Sequence, residues 1–347
     1  MIKGSRRKNY TTYNFQLTTK NLSVVPELPE VETTVRSLNR VVRSLRILNV
    51  WSSYNSSFHD GKNNIKNIKY FARFKKAVLG KRILGAERRA KNIIINLSGG
   101  ASVLVHMKMT GHFLYGTYKK NSDFQKPISK QIQNPKSKIQ NGEWEPKDKT
   151  GPLGDPMNRF IRMVWTLSNG KELAFSDLRR FAKIHFLPTA KIKDDEFIKT
   201  LGPEPLAKNF SEKIFRERLL SRLSGKIKQV LMDQTVIAGI GNIYSDEILW
   251  QSGVHPLSVV KKIPPAKITA MYKAMKAILR KAIRLGGDSA SDFRLLDGRP
   301  AGFQNFHKAY RQTGKPCRKP GCFGTIRRIK VGGRSAHFCG AHQKKYQ

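Results

Sequence analysis

After one opening helix the period of the apolar residues turns to that of strands and then back to that of helices, and that pattern most constrains the fold. From Ile83 to about Phe186 the apolar runs are short and rich in β-branched residues: "NIIINL", "SVLVHMKM" and "RMVWTLSNGKELAFSDL", the last with Ser168-Asn169-Gly170 as a hairpin turn. "LGPEPL", Leu201 to Leu206, reads as a linker, and beyond it the spacing is helical. Helices are expected in "SEKIFRERLLSRL", "GKIKQVLMDQ", "NIYSDEILWQSG" and "PPAKITAMYKAMKAILRKAIRLGG", the last capped by Gly286 and Gly287. One further helix opens the β half, where Val31, Val35, Leu38, Val42 and Leu45 recur at helical spacing behind Pro29. A strand-rich half and a helical half cannot share one sheet, so the expected class is α+β, a sandwich or barrel followed by a helical domain.

With 347 residues, 39% of them hydrophobic, two domains can each bury a core. Lys and Arg number 66 against 24 Asp and Glu, a net charge of +42, which points to a polyanionic partner and above all to nucleic acid; a ribosome-associated or merely cationic protein carries the same signature. No apolar run reaches eighteen residues, so no membrane-spanning helix is expected. The segment 1–25 is basic, hydroxyl-rich and free of Asp and Glu but lacks an apolar stretch, so it is not a secretory signal and only loosely suits an organellar one. Between Thr117 and about Gly154 the chain is polar, lysine-rich and aperiodic, and is expected to be a solvated insertion.

Four short constellations carry chemistry. All three cysteines lie beyond residue 316, where Cys317, Cys322, Cys339 and His342 form a C-x4-C-x16-C-x2-H array suited to one structural, tetrahedral Zn2+. The basic hairpin between the pairs turns at Gly332-Gly333 and presents Arg334. In "MDQTVIAGIGNIYSDEIL" a glycine-rich turn, Gly239 to Asn242, leads into a helix at Ile243 whose free amides, with the Asn242 side chain, suit a phosphate, although a tight helix–helix turn needs glycine in any case. In "FSDLRRFAKIHF" Arg179, Arg180 and Phe181 could enter a duplex as cation plus apolar wedge, or Phe181 could simply be core. In "PELPEVE" an amino-terminal Pro26 would be a secondary amine able to form a cationic imine, with Glu27 beside it to move protons; ordinary first-turn residues would look the same.

Taken together, these stretches resemble a bacterial formamidopyrimidine-DNA glycosylase, an enzyme that removes oxidised purines. The resemblance runs from Pro26 almost to the end and includes "PELPEVET", "RRAKNIIINL", "HMKMTG", "DLRRF", "LGPEPL", "MDQTVIAGIGNIYSDE" and "DGRPAGFQ". It implies an eight-stranded β-sandwich with flanking helices beside a helix-two-turns-helix domain with a zinc-finger hairpin, damaged double-stranded DNA lying between them. The implied domains are 26–195, 196–300 and 301–347. The resemblance implies that Pro26 is the imine-forming nucleophile, Glu27 the acid that assists base release, Lys91 a proton-transfer group in β-elimination and Arg334 its counterpart in δ-elimination. Met109, Arg179 and Phe181 match a triad that fills the void left by the extruded nucleotide, Lys228 and Asn242 match phosphate contacts, and the segment from Gly286 to Phe303 resembles a loop closing over the flipped base.

This chain departs from the pattern in four places: four residues separate the first two finger cysteines where two are usual, His342 replaces a cysteine, and both "DLRRFA" and "GRPAGF" are altered. The expected activity is glycosylase plus abasic-site lyase, in a bacterial cytoplasm, by a monomer. The alternatives are a sibling enzyme for oxidised pyrimidines and an inactive damage-binding protein. Because the nitrogen of an internal X-Pro amide is not nucleophilic, the imine chemistry requires that residues 1–25 be absent from the working protein, through a start codon at Val24 or Val25 or through proteolysis.

Overall fold

The computed structural model describes residues 25–54, 59, 64–121 and 143–347. The leader up to residue 24 and residues 122–142 of the expected insertion lie outside the described residues. Helix α1 (Leu28–Val41) forms as expected, with a proline in its first turn and Leu28, Val31, Val35 and Leu38 buried. Each such side chain contributes roughly 1.5–3 kcal/mol when fully buried. After β1 (Ile47–Ser52) comes a helix the sequence reading did not anticipate, α2 (Ile68–Val78), capped by the Asn67 side chain accepting from the Tyr70 amide. Only Phe74 and Val78 of α2 are buried, so its apolar stripe is too thin to stand out in the sequence.

The strands β2 (Ile83–Arg89), β3 (Asn92–Leu97), β4 (Ala101–His106), β5 (His112–Gly116), β6 (Tyr118–Lys120), β7 (Trp144–Pro146), β8 (Ile161–Leu167), β9 (Glu172–Ser176) and β10 (Lys183–Pro188) follow. Eight of the ten build two four-stranded antiparallel sheets, β1-β8-β9-β5 and β10-β4-β3-β2, whose inner faces enclose one core with α1. The β8–β9 turn carries Gly170 at φ +75°, which the Asn-Gly pair permits without strain.

The segment 117–154 is more ordered at its ends than a solvated insertion would be. There β6 pairs with β7, Tyr118 is buried, and Trp144 packs on Trp51 with ring centroids 6.0 Å apart. The signal for this stem, Tyr118 and Trp144, was hidden by the lysines around them.

The helical lobe comprises α3 (Glu212–Leu220), α4 (Ile227–Met232), α5 (Asn242–Ser252) and α6 (Pro265–Arg284) around a second core. Gly253, Gly286 and Gly287 adopt φ of +70°, +81° and +91°, the left-handed stops that end α5 and α6. A closing hairpin, β11 (Ile326–Val331) and β12 (Arg334–Cys339), turns at Gly332-Gly333 as expected.

Two of the joints between the lobes lie in the linker and beyond α6. In the linker, Glu204 accepts from Arg88 Nη1 at 2.5 Å, Arg89 Nη1 at 3.1 Å and the Ala90 amide at 2.6 Å, while Arg89 Nη2 donates to the Leu201 and Gly202 carbonyls. The linker is thereby fastened to the β2–β3 turn, which bears Lys91. From the other side, the segment after α6 returns to the sandwich: the Tyr115 amide donates to the Leu296 carbonyl at 2.7 Å, Asn158 Nδ2 donates to the Gly298 carbonyl, and Leu296 joins the first core.

Candidate active site

The N-terminus of α5 faces the N-terminus of α1. Glu27 is 1% exposed, and its carboxylate accepts from the amides of Gly241 at 2.6 Å, Ile243 at 2.8 Å and Tyr244 at 3.5 Å. These are the free amides that open a helix, and the helix dipole adds to their hold on an anion. The sequence reading assigned this anion seat to a phosphate; the structure places a carboxylate from the other lobe in it. Burial pushes the Glu27 carboxyl above its ordinary value, with Lys91 and the three amides pulling it back. Burial likewise lowers the Lys91 ammonium, opposed by Glu27 and Glu30 and reinforced by the positive charge of Arg334. Pro26 is buried beside this pair. Glu27 and Lys91, from two separate stretches of sequence, therefore adjoin, with Pro26 next to Glu27 in the chain and Arg334 near enough for its charge to bear on Lys91.

Gly241 leaves room for nothing else. A Cβ there would lie 2.5 Å from Glu27 Cδ and 2.7 Å from Lys91 Nζ. Gly241→Ala is therefore expected to displace both groups and to slow single-turnover base excision by roughly 10²-fold, since a misplacement of about 1 Å suffices for that; a rate within threefold of the parent would contradict the geometry.

Behind Glu27 lies a carboxyl whose role the sequence did not disclose. Glu30 is buried and accepts from the Glu27 amide at 2.8 Å, the Tyr244 hydroxyl at 2.5 Å and the Asp288 amide at 2.7 Å. Burial, aided by the charges of Glu27 and Asp288, pushes it up to about 8 against the Tyr244 and Glu27 donors. Folded protein thus retains a proton that the unfolded chain releases near its ordinary value, so this group's contribution weakens stability as pH rises from about 4.5 to 8. Melting curves of the parent and Glu30→Gln across that window are expected to converge at low pH and diverge upward, with the variant the flatter of the two. A position three residues after Glu27, on the face of Leu28 and Val31, was the available signal.

The side chains expected to form a wedge cluster at the loop between β9 and β10. Arg179 Nη1 lies 3.3 Å from Met109 Sδ, the Arg179 guanidinium stands 4.6 Å from the centroid of the Phe181 ring, and Phe181 is 45% exposed rather than core. Asp177 shapes the loop beneath it, accepting from Tyr54 Oη, Thr110 Oγ1 and the Ala182 amide. Arg180 is exposed, at φ +55°. Around the wedge gathers a cationic group the motif reading missed. Lys66 and Lys108 are held below the usual ammonium range by burial, and each feels Lys183; burial and Lys108, Lys91 and Lys183 push His106 down to about 3. Three crowded ammonium groups, Lys66, Lys108 and Lys183, offset by Asp177 at Lys66, suit a polyanion.

Lys228 is corrected. Its side chain is fully buried, and Nζ donates to Asp246 Oδ1 at 2.5 Å, Ser245 Oγ at 3.1 Å and the Asn242 carbonyl at 3.4 Å. An ammonium committed in this way does not face a phosphate. Asn242 remains partly exposed at the head of α5, and its buried Oδ1 has no partner.

In the terminal hairpin, the donor atoms of Cys317, Cys322, Cys339 and His342 lie within 4.8 Å of one another. Cys322 and Cys339 sulfurs are 3.6 Å apart, and His342 Nδ1 lies 3.4 Å from Cys317 Sγ. His342 Nε2 is 3.0 Å from the Trp250 carbonyl, which can only accept. That bond places the proton on Nε2 and turns the Nδ1 lone pair toward the sulfurs, as a metal ligand requires. The longer C-x4-C spacing and the terminal histidine therefore still close a four-donor cluster able to hold a metal ion.

An enzyme that acts on a base within a duplex needs a wedge, a cationic cleft and a buried site to receive the extruded nucleotide, and the groups described are of those kinds. The comparisons name the family. Residues 25–184 match the formamidopyrimidine-DNA glycosylase N-terminal domain and residues 201–294 the formamidopyrimidine-DNA glycosylase H2TH domain. A formamidopyrimidine-DNA glycosylase of Pelotomaculum thermopropionicum is 33% identical over 320 residues, covering 92% of this chain and 99% of its own; that of Lactococcus lactis is 30% identical over 321 residues. Among solved structures, a complex of the Lactococcus lactis Fpg with DNA containing an abasic site matches with a TM-score of 0.72 at 29% identity, covering 92% of this chain and all of that one. A MutM complex with DNA containing carbocyclic 8-oxo-G matches with a TM-score of 0.70. The chain belongs to the formamidopyrimidine-DNA glycosylase family.

Proposed function

We propose that this enzyme removes oxidised purines from duplex DNA through an imine on Pro26 and then cleaves the abasic strand. The seat of Glu27 supports this reading most strongly: a buried carboxyl raised by desolvation, adjoining the proline and facing Lys91. The free Pro26 amine attacks C1′ as the glycosidic bond breaks, and Glu27 assists the leaving base with a proton. Loss of the amine proton gives a ring-closed aminal, and cleavage of the C1′–O4′ bond, with Glu27 protonating O4′, gives the cationic imine. Removal of a C2′ proton then expels the 3′ phosphate, with Lys91, its ammonium weakened by burial, moving the proton. Removal of a C4′ proton expels the 5′ phosphate, a step assigned to Arg334. Met109, Arg179 and Phe181 fill the emptied stack, and Arg180, Asn242 and the lysine group hold backbone phosphates. Lys228 acts from within.

The Cys317, Cys322, Cys339 and His342 cluster holds one Zn2+, which stabilises the hairpin and takes no part in the chemistry. The working unit is a single chain, acting on DNA in a bacterial cytoplasm. Its amino terminus is Pro26.

Borohydride trapping on an abasic-site duplex tests the nucleophile. A chain beginning at Pro26, which keeps every described element, is expected to yield an adduct mapped by mass spectrometry to Pro26, and the 347-residue chain none. Binding without trapping by either chain would overturn the imine mechanism in favour of damage recognition alone.

A further inference from the structure

One buried network ties the two proposed chemical groups together. Asp246 lies one turn into α5, wholly inaccessible to solvent, and its two oxygens serve two different elements. Oδ1 receives Lys228 Nζ from α4 at 2.5 Å, while Oδ2 receives both the backbone amide of His337 at 3.0 Å and His337 Nδ1 at 2.8 Å. A carboxylate only accepts, so His337 carries its proton on Nδ1. His337 stands on β12 three residues from Arg334, and its ring meets Tyr310 edge-on at 5.1 Å. The same Lys228 ammonium reaches the Asn242 carbonyl in the first turn of α5, the turn whose amides seat Glu27.

We propose that Asp246 and His337 are positioning residues that fix the Arg334-bearing strand in register with the head of α5, so that both eliminations proceed in one site without rearrangement. The hairpin's other supports lie elsewhere: the metal cluster anchors the far end of β12 through Cys339, Phe338 meets the His255 ring at 4.4 Å, and the Gln229 side chain lies against Gly332 at the tip. Two hydrogen bonds from one residue to a buried carboxylate set both the height and the rotation of the strand. Without the imidazole, Oδ2 keeps only the backbone amide, and the rotation of the strand is no longer fixed.

The inference rests on the δ-elimination role proposed for Arg334, and the test separates the two. On a preformed abasic-site duplex, the ratio of δ- to β-elimination product is measured for the chain beginning at Pro26 and for Arg334→Ala, His337→Ala, His337→Asn and Asp246→Asn, with borohydride trapping per folded molecule alongside. His337→Ala and Asp246→Asn are expected to lower the ratio about fivefold or more, as small misplacements do, with trapping within about twofold. His337→Asn, whose amide nitrogen replaces Nδ1–H, is expected to restore it. An unchanged ratio in His337→Ala beside a reduced one in Arg334→Ala would overturn the inference; so would a parallel loss of trapping, the mark of general destabilisation. An unchanged ratio in Arg334→Ala would instead refute the role of Arg334. Should Asp246→Asn fail to fold, the two His337 variants decide the matter alone.

Discussion

Glu27→Gln is expected to lower the rate of base excision by about 10²- to 10⁴-fold, the range that a positioned proton donor supplies. The substitution keeps the volume and removes two things at once. A glutamine offers one acceptor oxygen where the carboxylate offers two, so its amide nitrogen must face either the Gly241 or the Ile243 amide, donor against donor. Lys91 also loses the opposite charge that offsets its burial. Cleavage of a preformed abasic site should suffer less, because an aldehyde has no base to expel. Single-turnover rates on a damaged-purine duplex and on an abasic duplex measure the two steps separately. Excision within tenfold of the parent would remove Glu27 from the proton-donor role.

The second large effect concerns the metal. Atomic absorption is expected to find about one zinc per folded chain, and His342→Ala is expected to lose it. Apparent binding free energies of about 10–16 kcal/mol for zinc in finger peptides set the scale, and that energy is folding energy for a hairpin too small to hold itself together. Loss of the ion should melt β11 and β12, remove Arg334 from the site and weaken duplex binding, while the sandwich core stays folded because none of the four donors belongs to it. Circular dichroism and duplex affinity before and after chelation would read this out. A folded, metal-free parent would defeat the assignment.

The fold was largely legible because the two lobes bury different periodicities. Val31, Val35 and Leu38 announce α1, and the isoleucines of β3 announce a strand. What escaped was held by sparse or long-range contacts. Helix α2 buries two apolar side chains, and the β6–β7 stem depends on a Trp51–Trp144 contact across most of a hundred residues. Residue types and spacing pointed to two groups that the structure brings together separately: Glu27 with Lys91, and the four metal donors with one another. Burial was not legible. Lys228 looks like any basic residue in a cationic chain, and only Asp246, eighteen positions away, explains why it is internal. Glu30 was hidden likewise, since its three donors come from α1, α5 and the segment after α6.

The fastened linker bears on how such a clamp closes. Glu204 and Arg89 have already removed the rotational freedom of residues 201–204, so that entropy is lost once, during folding, and not again at each encounter with a duplex. The chain therefore meets DNA as a stiff caliper rather than two beads on a string, and its Lys91 rides on the pivot itself.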